Sequence, residues 1–500
     1  MAIKRYKASK DNTITNAYKL NLSTRGTGSN MGASDILEVF SIYGQQTTSS
    51  AELSRILLQF PVDTVSADRL AGIIPAVGSA SFYLRMFNAR HSEQLPKDFT
   101  VNVLAVSQSW QEGFGLDMES YTDETEDAIE GSNWVNRDSN PVATWDQIGG
   151  DYHSSSYLAG STMPNYTFTF NNGDENLLLD VTTAVEEWLD GTQVNNGFGI
   201  FLTSSQEAHT TASDSSVLLN AEGQQTSFYT KRFFSRSSEF FFKVPVLEVR
   251  WDSRVMDDRG IFYASSSVAP AVDNLNNLYL YNYIRGSLKD IPHSEDLMVS
   301  LYASYNDGPT GSSLITPVTA SKVDTGIYKA QLSVNTTSSL IHDVWSGSAG
   351  GEYKTGSISV KSFNDVCVLT ANDYLQHTTK ITNLKHSYGK EEKAKLRVFT
   401  RPRNFSPTIY TVASTDIQGS IIPSASYEVI RMADGETIFN HSTASADYHT
   451  YLSYDESGGY FDFDMSLLEP GYMYAFKFAY FSSDDWREQK ELFKFRVESN

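Results

Sequence analysis

The sequence predicts an all-β chain made of several antiparallel sandwiches, with one short helix in the first of them. Three observations predict it. Apolar residues alternate with polar ones at a period of two through most of the chain, and turn residues cut that pattern into short runs. The 28 Tyr and 28 Phe supply large groups that favour sheets. At 500 residues the chain is also too long for one core, which points to about three domains.

The chain opens with MAIKRYKASKDNTITNAYK. Through residue 25, Lys4, Arg5, Lys7, Lys10, Lys19 and Arg25 stand against Asp11 alone, a net charge of +5 in a chain whose total is −21. Residues 1–20 are expected as a basic N-terminal arm. Two roles stand for it: a solvated terminus, or a segment that docks through Lys4, Arg5 and Lys7 on the acidic surface of a neighbouring copy or partner.

Residues 21–255 read as the first sandwich. In SRILLQFPV, Ile56, Leu58 and Phe60 share a face; in SASFYLRMF, Phe82, Leu84 and Met86 do; in FTVNVLAV, Phe99, Val101 and Val103 do. Pro61, Pro75, Gly78 and Pro96 lie among the turns between them. The run EGFGLDMESYTDETEDAIE, residues 112–130, carries −8 with no base and opens a long excursion that continues to 163, with Trp134 and Trp145 as anchors. Loops of this length in a compact domain are functional or form interfaces.

The segment LDVTTAVEEWLDGTQVNNGFGIFL breaks the period. Val181, Ala184, Val185 and Trp188 fall at i, i+3, i+4 and i+7, the apolar stripe of a helix. Asp180 or Thr182 can cap its start, Thr183 with Glu186 has capping-box spacing, and Gly191 can end it. Trp188 is expected to plug an open end of the sandwich. Asn-Asn-Gly then turns the chain into the strand GFGIFL. In KVPVLEVRWD, Val244, Val246 and Glu248 alternate with Leu247, Val249 and Trp251 as a closing strand, and Asp257-Asp258-Arg259-Gly260 marks a boundary.

Two further strand-rich segments follow, 256–375 and 376–500, each near the size of one immunoglobulin-like sandwich. In the last, Tyr472, Tyr474, Phe476, Phe478 and Tyr480 make one long aromatic face, which is buried unless its strand lies at an edge. In KAKLRVFTRPR, Lys393, Lys395 and Arg397 face one way and Ala394, Leu396 and Val398 the other. That charged face either guards a sheet edge or meets the acidic loop of a neighbouring subunit.

Composition and motifs narrow the chemistry. A chain this acidic repels phosphate backbones, so nucleic acid is not an expected partner. No apolar run approaches the ~20 residues of a membrane span, and the start has no apolar core of a signal peptide. The single cysteine, Cys367 in the apolar run Val366-Cys367-Val368-Leu369, permits no intrachain disulfide and is expected to be buried.

Gly-x-Ser-x-Gly, the Walker loop, His-Glu-x-x-His and Cys-x-x-Cys are all lacking, so no enzyme is expected. Asp151-Tyr152-His153 and Asp447-Tyr448-His449 share a form, but both sit in Ser-rich loops, where surface histidines are the expectation. The acidic run has the oxygens for a structural Ca²⁺ at Asp117, Glu119 and Asp123, without the spaced pattern of a dedicated calcium loop. No other cofactor is expected. Trp110, Trp134, Trp145 and Tyr152 have two readings: a platform for sugar rings, or pins that hold the excursion to the sandwich.

Four pieces in order make residues 20–252 resemble the DNRLRE domain family, whose members have a carbohydrate-binding-module-like jelly roll. They are SRILLQF; SASFYLRMF with FTVNVLAVSQSWQEG; LDVTTAVEEWLDGTQVNNGFGIFL; and FFSRSSEFFFKVPVLEVRW. The excursion 112–163 is longer than that family's. LEPGYMYAFKF is similar to the Leu-x-Pro-Gly-x-x-Tyr passage of fibronectin type III and related sandwiches, in which the tyrosine, here Tyr474, hydrogen-bonds back to the main chain at a corner.

The start AIKRYKASKDNTITNAYK resembles virion structural proteins of tailed phages, notably those of marine cyanobacteria. That resemblance implies a non-enzymatic component of the head, neck or tail, assembled in the host cytoplasm, present in many copies and docked on other virion proteins. The alternative is an adhesin or receptor-binding module holding host-surface glycan.

Overall fold

The computed structural model describes residues 2–43, 51–90, 96–116, 131–139, 142–154, 163–211, 213–226, 228–292, 296–348, 350–361, 377–403, 409, 419–444, 447–482 and 485–499. The described chain is almost entirely strand and turn, and it divides into two compact units, Ala2–Asp252 and Ser253–Asn500.

The first unit is a sandwich. Its strands are β1 (Ile3–Lys7), β2 (Lys10–Thr15), β3 (Ile36–Tyr43), β4 (Ala51–Gln59), β5 (Ala80–Met86), β6 (Phe99–Ala105), β7 (Asn136–Ser139), β8 (Val142–Thr144), β9 (Tyr166–Phe170), β10 (Leu177–Asp180), β11 (Phe198–Leu202), β12 (Phe228–Phe234) and β13 (Val246–Trp251). One sheet has the order β1-β13-β5-β10; the larger runs β12-β3-β4-β11-β6-β9, with β2 also on β4. The three period-two stripes read from the sequence all point between the sheets, where Ile56, Leu58, Phe82, Leu84, Phe99 and Val101 share one core with Leu247 and Val249 of the closing strand.

Two helices join that core. The expected one is α2 (Thr182–Leu189), and its stripe Val181, Ala184, Val185 and Trp188 is buried, the Trp188 ring 4.7 Å from Phe198. Gly191 follows it with φ +79, the left-handed turn that glycine adopts without strain. Its start departs from the capping-box expectation. Asp180 accepts from the Thr182 amide at 2.9 Å, while Glu186 reaches away to a two-point ion pair with Arg69, both contacts 2.7 Å.

Arg69 belongs to a second helix, α1 (Val62–Leu70), in a stretch where the sequence reading had only the turn at Pro61. Its signs are Val62 and Val65 on one face, Asp63 in the first turn and Arg69 in the last.

In the second unit, a three-stranded and a four-stranded sheet enclose Leu278, Leu280, Val299, Leu301, Ile341 and Trp345. A four-stranded and a six-stranded sheet follow, these with an aromatic interior in which Tyr427 stacks on Phe461 at 4.5 Å and Phe476 on Phe495 at 4.6 Å. Of the long aromatic face, Tyr474, Phe476, Phe478 and Tyr480 are buried and Tyr472 is exposed. The strand that carries them, Met473–Ser482, has neighbours on both sides. Tyr474 Oη donates to the Glu469 carbonyl at 2.8 Å, the corner bond that the LEPGYMY resemblance implied. Tyr454 Oη donates to Asp258 at 2.7 Å, which ties the last sandwich to the short 3-10 turn Asp258–Gly260 at the head of the unit.

Candidate functional site

The strand GFGIFL explains how the described part of the long excursion is placed. Phe198, Ile200 and Leu202 point into the main core, so Gly199 and Phe201 must face the other side of the large sheet. That side is not open to solvent. Trp110, Trp134, Trp145, Tyr152, Ile14, Leu53, Leu57 and Leu104 form a second core with Phe201, and residues 131–139 and 142–154 of the excursion become a third layer over the sheet.

The contact is close enough that a Cβ at Gly199 would overlap the Tyr152 ring. Tyr152 sits 4.7 Å from Phe201, centroid to centroid, and its hydroxyl donates to the Gly149 carbonyl at 2.8 Å. Trp110 Nε1 donates to Asn196 O at 2.8 Å and Trp145 Nε1 to Asn133 O at 3.0 Å.

The four aromatics are 3, 0, 4 and 0% exposed for Trp110, Trp134, Trp145 and Tyr152. A sugar needs an exposed ring face, so they are no stacking platform; Trp134, Trp145 and Tyr152 pin the described part of the excursion to the sheet, and Trp110 packs with them. Their residue types carried both readings, and only the strand parity around Gly199 separates them.

This second core encloses a charge. Arg55 of β4 is 1% exposed, its guanidinium 4.5 Å from the Phe201 ring and 5.5 Å from Trp134. It donates to the Gly149 carbonyl at 3.1 Å and pairs with Glu207 at 3.3 Å. Burial raises the Glu207 carboxyl and Arg55 opposes that shift.

The start of the acidic run is held as well. Glu112 makes a two-point ion pair with Arg236 at 2.5 and 2.6 Å and accepts from the Asp11 amide at 2.8 Å. Asn30 donates to the carbonyls of Glu112 and Ser132 and accepts from the Gly32 and Gly115 amides. Asp117, Glu119 and Asp123, the calcium candidates, lie outside the described residues, as does Cys367. Among the described residues no three His, Cys, Asp or Glu side chains gather closely enough to hold a metal.

The basic residues are placed otherwise than expected. Lys4, Arg5 and Lys7 form no arm: they lie in β1, paired with β13 from Ile3↔Arg250 to Lys7↔Val246. Arg5 meets Glu248 at 2.7 Å, and Arg85 and Arg250 converge on the same carboxylate, holding it far below the usual carboxylate range against the opposing effect of burial. Lys4 pairs with Asp68 of α1, and Lys7 lies over the Phe241 ring.

Lys393, Lys395 and Arg397 do alternate with buried Ala394, Leu396 and Val398, but their strand, Lys393–Pro402, is hydrogen-bonded on both sides and guards no edge. Arg397 pairs with Asp455 at 2.7 Å, and Lys395 lies 4.0 Å from the Tyr460 ring centre.

The Asp-Tyr-His repeats are structural. Asp151 accepts from the Asp146 and Gln147 amides, closing its own loop, and Asp447 pairs with His449. His449 is 8% exposed, so it is not a surface histidine. A feature the sequence did not suggest is a cavity of about 140 Å³ in the second unit, lined by Asp296, Lys322, Tyr328 and Tyr353 with Ile291 and Leu297. Among the described residues no helix is long and apolar enough to cross a membrane.

No family model and no curated protein matches the chain. Solved structures to which it has some similarity include the Yersinia pseudotuberculosis adhesin InvE, at 12% identity and TM-score 0.15, covering 44% of this chain and 54% of that one. The tandem immunoglobulin domains A164-A165 of titin align at 11% identity and TM-score 0.15, over 41% of this chain and 83% of that one. A DUF4785 family protein from Legionella pneumophila aligns at 9% identity and TM-score 0.13, over 98% and 91%. The chain spans about half the length of the adhesin structure. Scores of this size carry no functional argument.

Proposed function

We propose that the chain is a non-enzymatic structural component of a tailed-phage virion, working through protein–protein assembly at the head, neck or tail. One observation supports the assembly part: residues 131–139 and 142–154 of the excursion are folded down as a third layer around Arg55 and Tyr152. A sheet buried on both faces is a rigid body, suited to bearing contacts rather than to closing on a ligand. The virion part rests on the resemblance carried by AIKRYKASKDNTITNAYK and by the four jelly-roll pieces in order.

The test is direct. Mass spectrometry of purified particles should find the chain at many copies per virion, and cryo-EM should place it against other virion proteins. Absence from purified particles overturns the proposal.

The glycan-holding alternative keeps one observation in its favour. The cavity lined by Tyr353 and Tyr328 also has a carboxylate, Asp296, and the Lys322 ammonium, which pairs with Asp290 at 2.7 Å, and polar groups of this kind suit sugar hydroxyls. A glycan array with the parent chain and Tyr353→Ala decides it: binding lost in the variant supports a sugar site, and no binding at millimolar sugar removes it.

A further inference from the structure

Lys231, on β12, is 0% exposed. A buried ammonium is costly unless its protons are matched, and here the match is made by neutral groups. Nζ donates to the carbonyls of Gly173 and Glu175, both at 2.7 Å, and to Asn88 Oδ1 at 2.8 Å. The faces of Phe170 and Phe233 lie 4.5 and 5.3 Å away.

Two main-chain carbonyls and one amide oxygen converging at one point are the ligand types that hard cations take. The loop that supplies the carbonyls, residues 171–176, crosses from β9 of the large sheet to β10 of the small one. It is shaped for this inward turn: the Glu175 carboxylate accepts from the Asn172 and Gly173 amides, and Asn176 accepts from the Asn88 amide.

We propose that this cage is a cation site whose occupant is the chain's own lysine ammonium, and that shortening the side chain opens it to a small free monovalent cation. Three neutral oxygens suit a single charge better than a double one. Burial lowers the Lys231 ammonium to about 8, while the charges of Glu175 and Asp174 act to raise it.

Two variants of the full chain test this. Lys231→Ala should melt lower than the parent, and ammonium or potassium chloride should raise its melting temperature by about 2–4 °C over choline chloride at equal ionic strength, with no such difference in the parent. Asn88→Asp puts a carboxylate on the ammonium and should raise the melting temperature by a similar amount. If the position only tolerates a lysine, without cation character, the new carboxylate is a half-buried charge with no counter-charge and the temperature falls. A folded K231A indifferent to ammonium and potassium overturns the proposal, and so does a lowered N88D. Should K231A fail to fold, N88D decides alone.

Discussion

Tyr152 fills the space that any side chain at Gly199 would need, and this contact is one of those that join the described part of the excursion to the middle of the large sheet. β11 lies between β4 and β6, so the strand is held on both sides, and the Tyr152 ring is itself buried in the second core.

Gly199→Ala should therefore destabilise the first unit by about 1–3 kcal/mol, the cost of overpacking a filled core. Tyr152→Ala should cost about 3–5 kcal/mol by leaving a cavity. The double variant should cost less than the two separately, because the methyl group enters space the ring has left. Denaturant titration of the four chains reads this, and strict additivity would mean that the two residues do not meet.

Removing Arg55 leaves Glu207 buried without its counter-charge. Arg55→Met should cost about 3–5 kcal/mol, and adding Glu207→Leu should recover much of it. Equilibrium unfolding of both variants checks the sign; no recovery in the pair would mean that Arg55 acts by packing against Trp134 and Phe201.

Asp11 supplies a pH dependence. Burial pushes its carboxyl from 3.8 to about 7; the Arg236 amide and guanidinium oppose this and the Glu112 charge adds to it. Between about pH 4 and 7 the unfolded chain has lost this proton and the folded chain keeps it. Stability from this group is present at the acid end and falls as pH rises through that window, by ~1.4 kcal/mol per unit at most. Asp11→Asn should flatten that slope relative to the parent in unfolding measured at several pH values; an unchanged difference across the window refutes the assignment.

Tyr474→Phe removes the donor to Glu469 O and leaves a main-chain carbonyl short of a partner. A loss of about 1–2 kcal/mol is expected, read in the melting of the second unit, with the first unit unchanged. A loss shared by both units would show that the effect is not local.

Much of this architecture was legible along the chain. The stripes at Ile56-Leu58-Phe60, Phe82-Leu84-Met86 and Phe99-Val101-Val103, the helical stripe ending at Trp188, and the buried aromatic face from Tyr474 to Tyr480 are periodic, and a period reports which face is apolar. The tyrosine corner could be read because its two ends, Glu469 and Tyr474, are five residues apart.

What escaped depends on partners far off in sequence. Lys4, Arg5 and Lys7 read as a loose basic arm until Ile3 is paired with Arg250 across nearly the whole first unit. Lys393–Pro402 has the pattern of an edge strand, since a charged outer face looks the same whether or not a neighbour is bonded on each side. The α1 segment has only two buried apolar residues, Val62 and Val65, too few to make a stripe.

Residue chemistry and spacing were thus enough to establish an all-β chain, its inward faces and one helix, because side-chain alternation is a local property of strands. The fate of Trp110, Trp134, Trp145 and Tyr152 was settled by packing alone. An indole in a polar loop has the same sequence whether it meets a sugar or a sheet, and the second apolar face of β4, β6 and β11 was what drew these rings out of water.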